Sequence, residues 1–149
     1  MRFTALFMAK ILVSVTLGFA VGVGGYTFMF ARGASYLTDD PAACSNCHIM
    51  SEHYSGWLKS SHRNVAVCND CHTPSNFLSK YATKASNGFW HSVAFTTGNF
   101  PEPLRIKPHN YVIAEQACRK CHQDIVDAIT GNPQEMACIR CHDEVGHRR

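Results

Sequence analysis

The chain has 149 residues, a formal net charge of +3 and 46% hydrophobic residues. That length normally holds one domain, and the scattered, slight excess of basic residues argues against a nucleic-acid surface. The first thirty or so residues are membranous, which leaves about 115 for everything else, too few for a large side-chain core.

Residues 1–33 read as a cytoplasmic N-terminus followed by a transmembrane anchor helix. Met1 to Lys10 carries Arg2 and Lys10 and no acid, and Ile11 to Phe30 then runs without a charge, long enough to cross a bilayer. A cleaved signal peptide is the other reading. The apolar run exceeds a typical signal core, however, and Arg32 falls where cleavage after Ala34 requires a small residue. The basic N-terminus places Met1 in the cytoplasm and the rest of the chain outside, with Arg32 a weak counter-signal. Gly18, Gly22, Gly24 and Gly25 form a small-residue stripe of the kind that packs helices together.

Beyond the anchor the pattern C-x-x-C-H occurs four times, at Cys44–Cys47–His48, Cys68–Cys71–His72, Cys118–Cys121–His122 and Cys138–Cys141–His142. This is the signature of c-type haem attachment. Two thiols at that spacing each form a thioether to one porphyrin, and the adjacent histidine is carried beneath the ring as an axial ligand. Zinc ribbons also use paired C-x-x-C, but zinc requires no histidine after each pair. Four such histidines by chance have a probability of about one in 10⁵ on this composition. All eight cysteines are consumed, leaving none for a disulfide. Residues 34–149 are therefore expected to form a small, mostly α, exported domain of short helices and loops wrapped around four covalent haems. Without haem this domain should be largely unfolded. Lysines and arginines serve as propionate partners and membrane flanks.

Within that domain, Asp40-Pro41 reads as an N-cap with proline at the first helical position, ahead of the first motif. Haem 1 thus begins about ten residues beyond the membrane, within reach of a lipid-soluble donor. Met50, Tyr54, Trp57 and Leu58 recur at helical spacing, which predicts a helix from His48 to about Ser60 covering haem faces. After Thr73-Pro74, Ser75 is expected to cap a helix in which Leu78, Tyr81, Ala82, Ala85 and Phe89 share a face, closed by Gly88. Lys80 and Lys84 lie on the other face, as a solvated pair or as propionate partners. Phe89, Trp90, His91 and Phe95 form an aromatic cluster, and prolines make 99–110 extended. The long gap 73–117 between the second and third motifs is where a substrate site has room. A helix over 112–130 carries the third motif, Gly131 closes it, and Asn132-Pro133 starts a last helix. The spacing of the motifs in two pairs hints at an internal di-haem repeat.

Axial ligation decides the chemistry. The motifs supply four histidines, and His53, His62, His91, His109 and His147 remain. Two histidines make an electron shuttle, whereas an open or weakly held position can meet a substrate. Met50 is a thioether ligand or simply packs on porphyrin.

The single anchor, the four motifs, the C-x-x-C-H-x-M form at Cys44 to Met50, Ser61-His62 and His147 five residues after His142 together resemble the NapC/NirT family of membrane-anchored tetrahaem cytochromes, nitrite reductase small subunits above all. The resemblance implies that Met50 replaces His48 as ligand of haem 1, whose other face stays open beside a quinol pocket. It implies that His147 is distal ligand of haem 2 and His62 of haem 3, completing His72 and His122. The fourth haem, on His142, would take a lysine from a catalytic partner. Lys84 matches a family lysine at the quinol site, and His91 stands where the family often has an aspartate. The function implied is menaquinol oxidation, with electrons passed through the haems to a cytochrome c nitrite reductase subunit. A different periplasmic reductase, or a passive electron-transfer anchor without quinol chemistry, are the alternatives. The localisation implied is single-pass in the inner membrane, with the haem domain periplasmic.

Overall fold

The computed structural model describes residues 2–129 and 137–147, and it divides into two units, Met1–Ser35 and Tyr36–Arg149. The first unit is dominated by helix α1, Arg2–Phe30. Its apolar stretch, Phe3–Phe30, is long and apolar enough to cross a membrane. At 1.5 Å per residue its 29 residues span about 43 Å, more than a hydrocarbon core of about 30 Å. Its large side chains face outward all round: Phe3, Leu12, Phe19 and Met29 are all exposed. A helix that is apolar on every side needs lipid or other helices to cover it. One N-terminal apolar helix of this kind suits a single-pass anchor. The helix ends where Arg32 takes the left-handed conformation, φ 50°.

The second unit is helical, with no strand among the described residues. A short 3₁₀ turn, Gly33–Leu37, precedes it. Helix α2, Pro41–Cys44, is capped by Asp40, whose Oδ1 accepts from the Ala42 amide at 2.9 Å, as the Asp-Pro pair predicts. The helix expected from His48 begins three residues later. His48–Met50 is a 3₁₀ turn, and α3 spans Ser51–Leu58. The Trp57 indole N–H donates to the Ala66 carbonyl at 3.0 Å and ties down the loop that carries His62.

Helix α4 is the second motif itself, Cys68–His72, and α5 runs from Phe77 to Thr97. Here two sequence expectations are corrected. Asn76, not Ser75, caps α5, accepting from the Ser79 amide, and the helix passes through Gly88 to close at Gly98, whose φ is 69°. A Cβ on Gly88 would stand 3.2 Å from the Tyr36 ring, so its role is close approach rather than termination. The aromatic cluster Phe89–Phe95 therefore lies on the helix. The face shared by Leu78, Ala82, Ala85 and Phe89 is exposed, and Thr83 and Lys84 are the buried residues of α5.

Helix α6, Pro108–Ile129, begins four residues before its expected start because Pro108 suits a first turn, and it breaks at His122, φ −112° and ψ 22°. Helix α7 is the fourth motif, Cys138–Cys141. Gly131 and the last predicted helix, beginning at Asn132-Pro133, lie outside the described residues. Helix α6 packs on both α4 and α7. Among the described residues only Ile113, Ala114 and Val126 are buried apolar side chains, while Phe77, Phe89, Trp90, Ile125 and many more lie exposed. The polypeptide leaves most of its own apolar surface uncovered, which is what an interior made of macrocycles requires.

Candidate functional site

Four short segments bring the motifs together in chain order. The Cys44 and Cys68 thiols of the first and second motifs hydrogen-bond each other. Cys71 of the second lies near Cys121 of the third, and Cys118 of the third near Cys138 of the fourth. The eight cysteines form no disulfide. Among the described residues no three or more histidine, cysteine, aspartate or glutamate side chains are grouped so as to hold a metal ion.

Histidine rings gather across these segments, and His147 meets both His72 and His53, the latter with centroids 5.2 Å apart. The His72 and His147 rings have centroids 5.8 Å apart, and those of His62 and His122 stand 6.1 Å apart. Two imidazole–metal bonds of about 2 Å plus half a ring on each side span roughly that distance, so each pair fits one metal ion between its rings. Burial lowers the His72 pKa to about 4, and the charges of His147 and His53 act in the same direction. The ring is thus neutral at physiological pH, the form that binds metal. His147 Nδ1 lies 2.9 Å from the His53 carbonyl. That oxygen can only accept, so Nδ1 carries the proton and Nε2 is the free donor atom. His53, whose role the sequence left open, is in this way an orienting residue through its main chain. Met50 and His48 share one 3₁₀ turn, which keeps both within two residues of each other beside the first motif. His142 is exposed and lines a cleft of about 400 Å³ with Lys59, Ser60, Ser61, Cys141 and Val145.

Glu115 is a site residue that sequence reasoning missed. It is 7% exposed, and its carboxylate accepts from the Cys138 amide at 3.0 Å and from the Ile139 amide at 2.8 Å. A residue one turn before the third motif thus holds the first two amides of the fourth, and Arg119 approaches at 3.9 Å. An acid three residues before a cysteine gave no local sign of this.

The lysines of α5 also correct an expectation. Lys80 and Lys84 are not a solvated pair: both converge on Asp39 of the connector. Lys84, 6% exposed, donates to the Thr38 carbonyl at 2.8 Å and to Asp39 Oδ1 at 3.0 Å, and its charge acts on Cys44 of the first motif. Hydrogen bonds from Lys80 and then Lys84 hold the Asp39 carboxyl down at about 2. The Asn69 amide, inside the second motif, donates to the same Oδ1 at 2.7 Å. His91 lies two turns along α5 from Lys84 and is exposed. Partial desolvation, with Lys107 adding to it, lowers its imidazole below the ordinary value. His109 is exposed near the start of α6.

An apolar N-terminal helix and a coreless helical lobe threaded on haem-attachment motifs define a membrane-bound c-type cytochrome. The chain belongs to the NapC/NirT cytochrome c family, the N-terminal region of which matches residues 6–149. It is 34% identical to the cytochrome c-type protein NrfH of Wolinella succinogenes, over 87% of this chain and 81% of that one. It is 30% identical to the cytochrome c nitrite reductase subunit NrfH of Nitratidesulfovibrio vulgaris, over 80% of this chain and 74% of that one. The cytochrome c-type protein TorY of Escherichia coli O157:H7 is 30% identical over 86% of this chain, which spans only 43% of that longer protein. Its fold is similar to a chain in the crystal structure of a cytochrome c nitrite reductase NrfHA complex bound to the inhibitor HQNO. The TM-score is 0.65 and the identity 27%, over 91% of this chain and 88% of that one.

Proposed function

We propose that the protein is a menaquinol dehydrogenase that delivers electrons to the catalytic subunit of a cytochrome c nitrite reductase. The observation that carries this is the unbroken succession of four motifs with facing histidine pairs at its centre, in a chain so similar to NrfH proteins. Residues 1–33 anchor it in the inner membrane, and 34–149 form the periplasmic haem domain. Four haems are held through Cys44 and Cys47, Cys68 and Cys71, Cys118 and Cys121, and Cys138 and Cys141. When bound, they supply one-electron acceptors in series. His72 and His147 form one ligand pair, His122 and His62 another. Met50, beside His48, serves the first motif, and His142 serves the fourth together with a lysine of the catalytic partner.

Oxidising one quinol releases two electrons and two protons. Lys84 hydrogen-bonds the quinol oxygen, which orients the ring beside the first motif. His91, neutral at pH 7 because desolvation and Lys107 disfavour its charge, accepts a proton. Asp39 stays ionised and strongly paired, so it is a poor proton acceptor. Replacing Lys84 or His91 with alanine is expected to slow quinol oxidation while leaving electron flow from dithionite to the partner intact. Equal loss of both activities would sink the assignment. A mass increase of the mature chain equal to four macrocycles tests the haem count. The reading in which the chain is a passive relay is separated by the same assay, since a relay shows no quinol-dependent turnover of its own.

A further inference from the structure

We propose that Asp39 is a positioning residue of the quinol-oxidising site, fixing the Lys84 ammonium so that one of its N–H groups is left for the quinol oxygen. The proposal rests on the reading that Lys84 contacts quinol. Lys84 spends two donors on the Thr38 carbonyl and Asp39 Oδ1. An ammonium has three. The Tyr81 ring lies 5.5 Å from Nζ, a face that favours the cation without using a hydrogen bond. Asp39 is itself held from three sides: Lys84 and the Asn69 amide on Oδ1, and Lys80 on Oδ2. Neither its rotation nor its reach is free.

A staple between the connector and α5 would need only one ion pair, and the Lys80 pair alone supplies it. Bringing in Lys84 as well costs desolvation, because its side chain is 7% exposed against 49% for Asp39. Two ammonium groups against one carboxylate leave one positive charge over in the cluster, of which Lys84 is the buried member. A surplus cation with a spare donor, fixed beside the first and second motifs, suits an oxygen that gains negative character as its proton departs. Asn69 sits between Cys68 and Cys71, so the carboxylate ties Lys84 to the motif that follows the first.

The test uses the full-length holoprotein in complex with its catalytic partner and a water-soluble naphthoquinol as donor. Asp39→Asn is expected to raise KM for the naphthoquinol about tenfold, the loss of one charge-assisted contact. The haem spectrum and dithionite-driven turnover should stay unchanged. The double variant with Lys84→Ala should be no worse than Lys84→Ala alone. An unchanged KM in Asp39→Asn alongside an impaired Lys84→Ala overturns the proposal, and so do losses that multiply in the double variant. An unimpaired Lys84→Ala instead removes the quinol reading itself. Should Asp39→Asn fail to take up haem, Asn69→Ala decides: a raised KM with a normal spectrum supports the proposal, and an unchanged KM overturns it.

Discussion

Two carboxylates hold the lobe together, in opposite ways. Asp39, 49% exposed at its side chain, is pinned by two lysines and an amide, and what it fixes is another side chain. Glu115, 7% exposed, accepts two main-chain amides, and what it fixes is the backbone of the fourth motif. Both join segments remote in sequence. With so few apolar side chains buried among the described residues, ionised groups do the work of a core, but they do it under different rules. The connector cluster responds to proton and salt concentration. Burial of Glu115 screens the amide clamp from salt.

Withholding haem would break the comparison altogether, since both clamps hold segments that macrocycles otherwise keep in place. Chain produced without haem attachment is expected to lose most of its helical circular dichroism outside α1. Retention of the full signal would contradict the coreless reading. Glu115→Ala comes next: leaving two half-buried amides without a charged acceptor should cost about 3 kcal/mol. The expected readout is an earlier urea midpoint, with fourth-motif attachment incomplete by mass spectrometry. The Asp39 cluster should prove the more sensitive to solution conditions. Its folded carboxyl lies near 2 against an ordinary 3.8, so its stabilisation is present above pH 4 and lost as pH falls toward 2. Added salt should weaken it over the same range, while Glu115→Ala should shift the urea midpoint equally at low and high salt. His91, with its pKa lowered from 6.5, should give quinol oxidation that is level above pH 6.5 and declines below it as the imidazole protonates. His91→Asn should abolish that acid limb. The smallest effect expected is that of Trp57→Phe. It removes the 3.0 Å bond to the Ala66 carbonyl and should lower stability by about 1 kcal/mol in urea titration.

What could be read from the sequence was whatever is written locally. The C-x-x-C-H motifs, the apolar run to Phe30 and the Asp40-Pro41 start need only neighbouring residues to be recognised. The His62 and His122 rings, and those of His147 and His72, come from segments far apart in sequence, and nothing in the spacing alone brings them together. Lys84 looked like half of a solvated pair because its partner lies 45 positions away, and Glu115 acts across 23 or 24. Gly88 was misread for a related reason. Taken alone it is a helix stop, and only the Tyr36 ring, brought against it by the fold, shows that the missing side chain makes room.

The scarcity of buried apolar side chains also has a consequence for how the protein is made. Among the described residues Ile113, Ala114 and Val126 are the only buried apolar side chains, far fewer than a lobe of this length needs to hold itself together. The newly synthesised chain cannot collapse on its own account. Its thiols therefore stay accessible until the prosthetic groups arrive. Maturation and folding become one event.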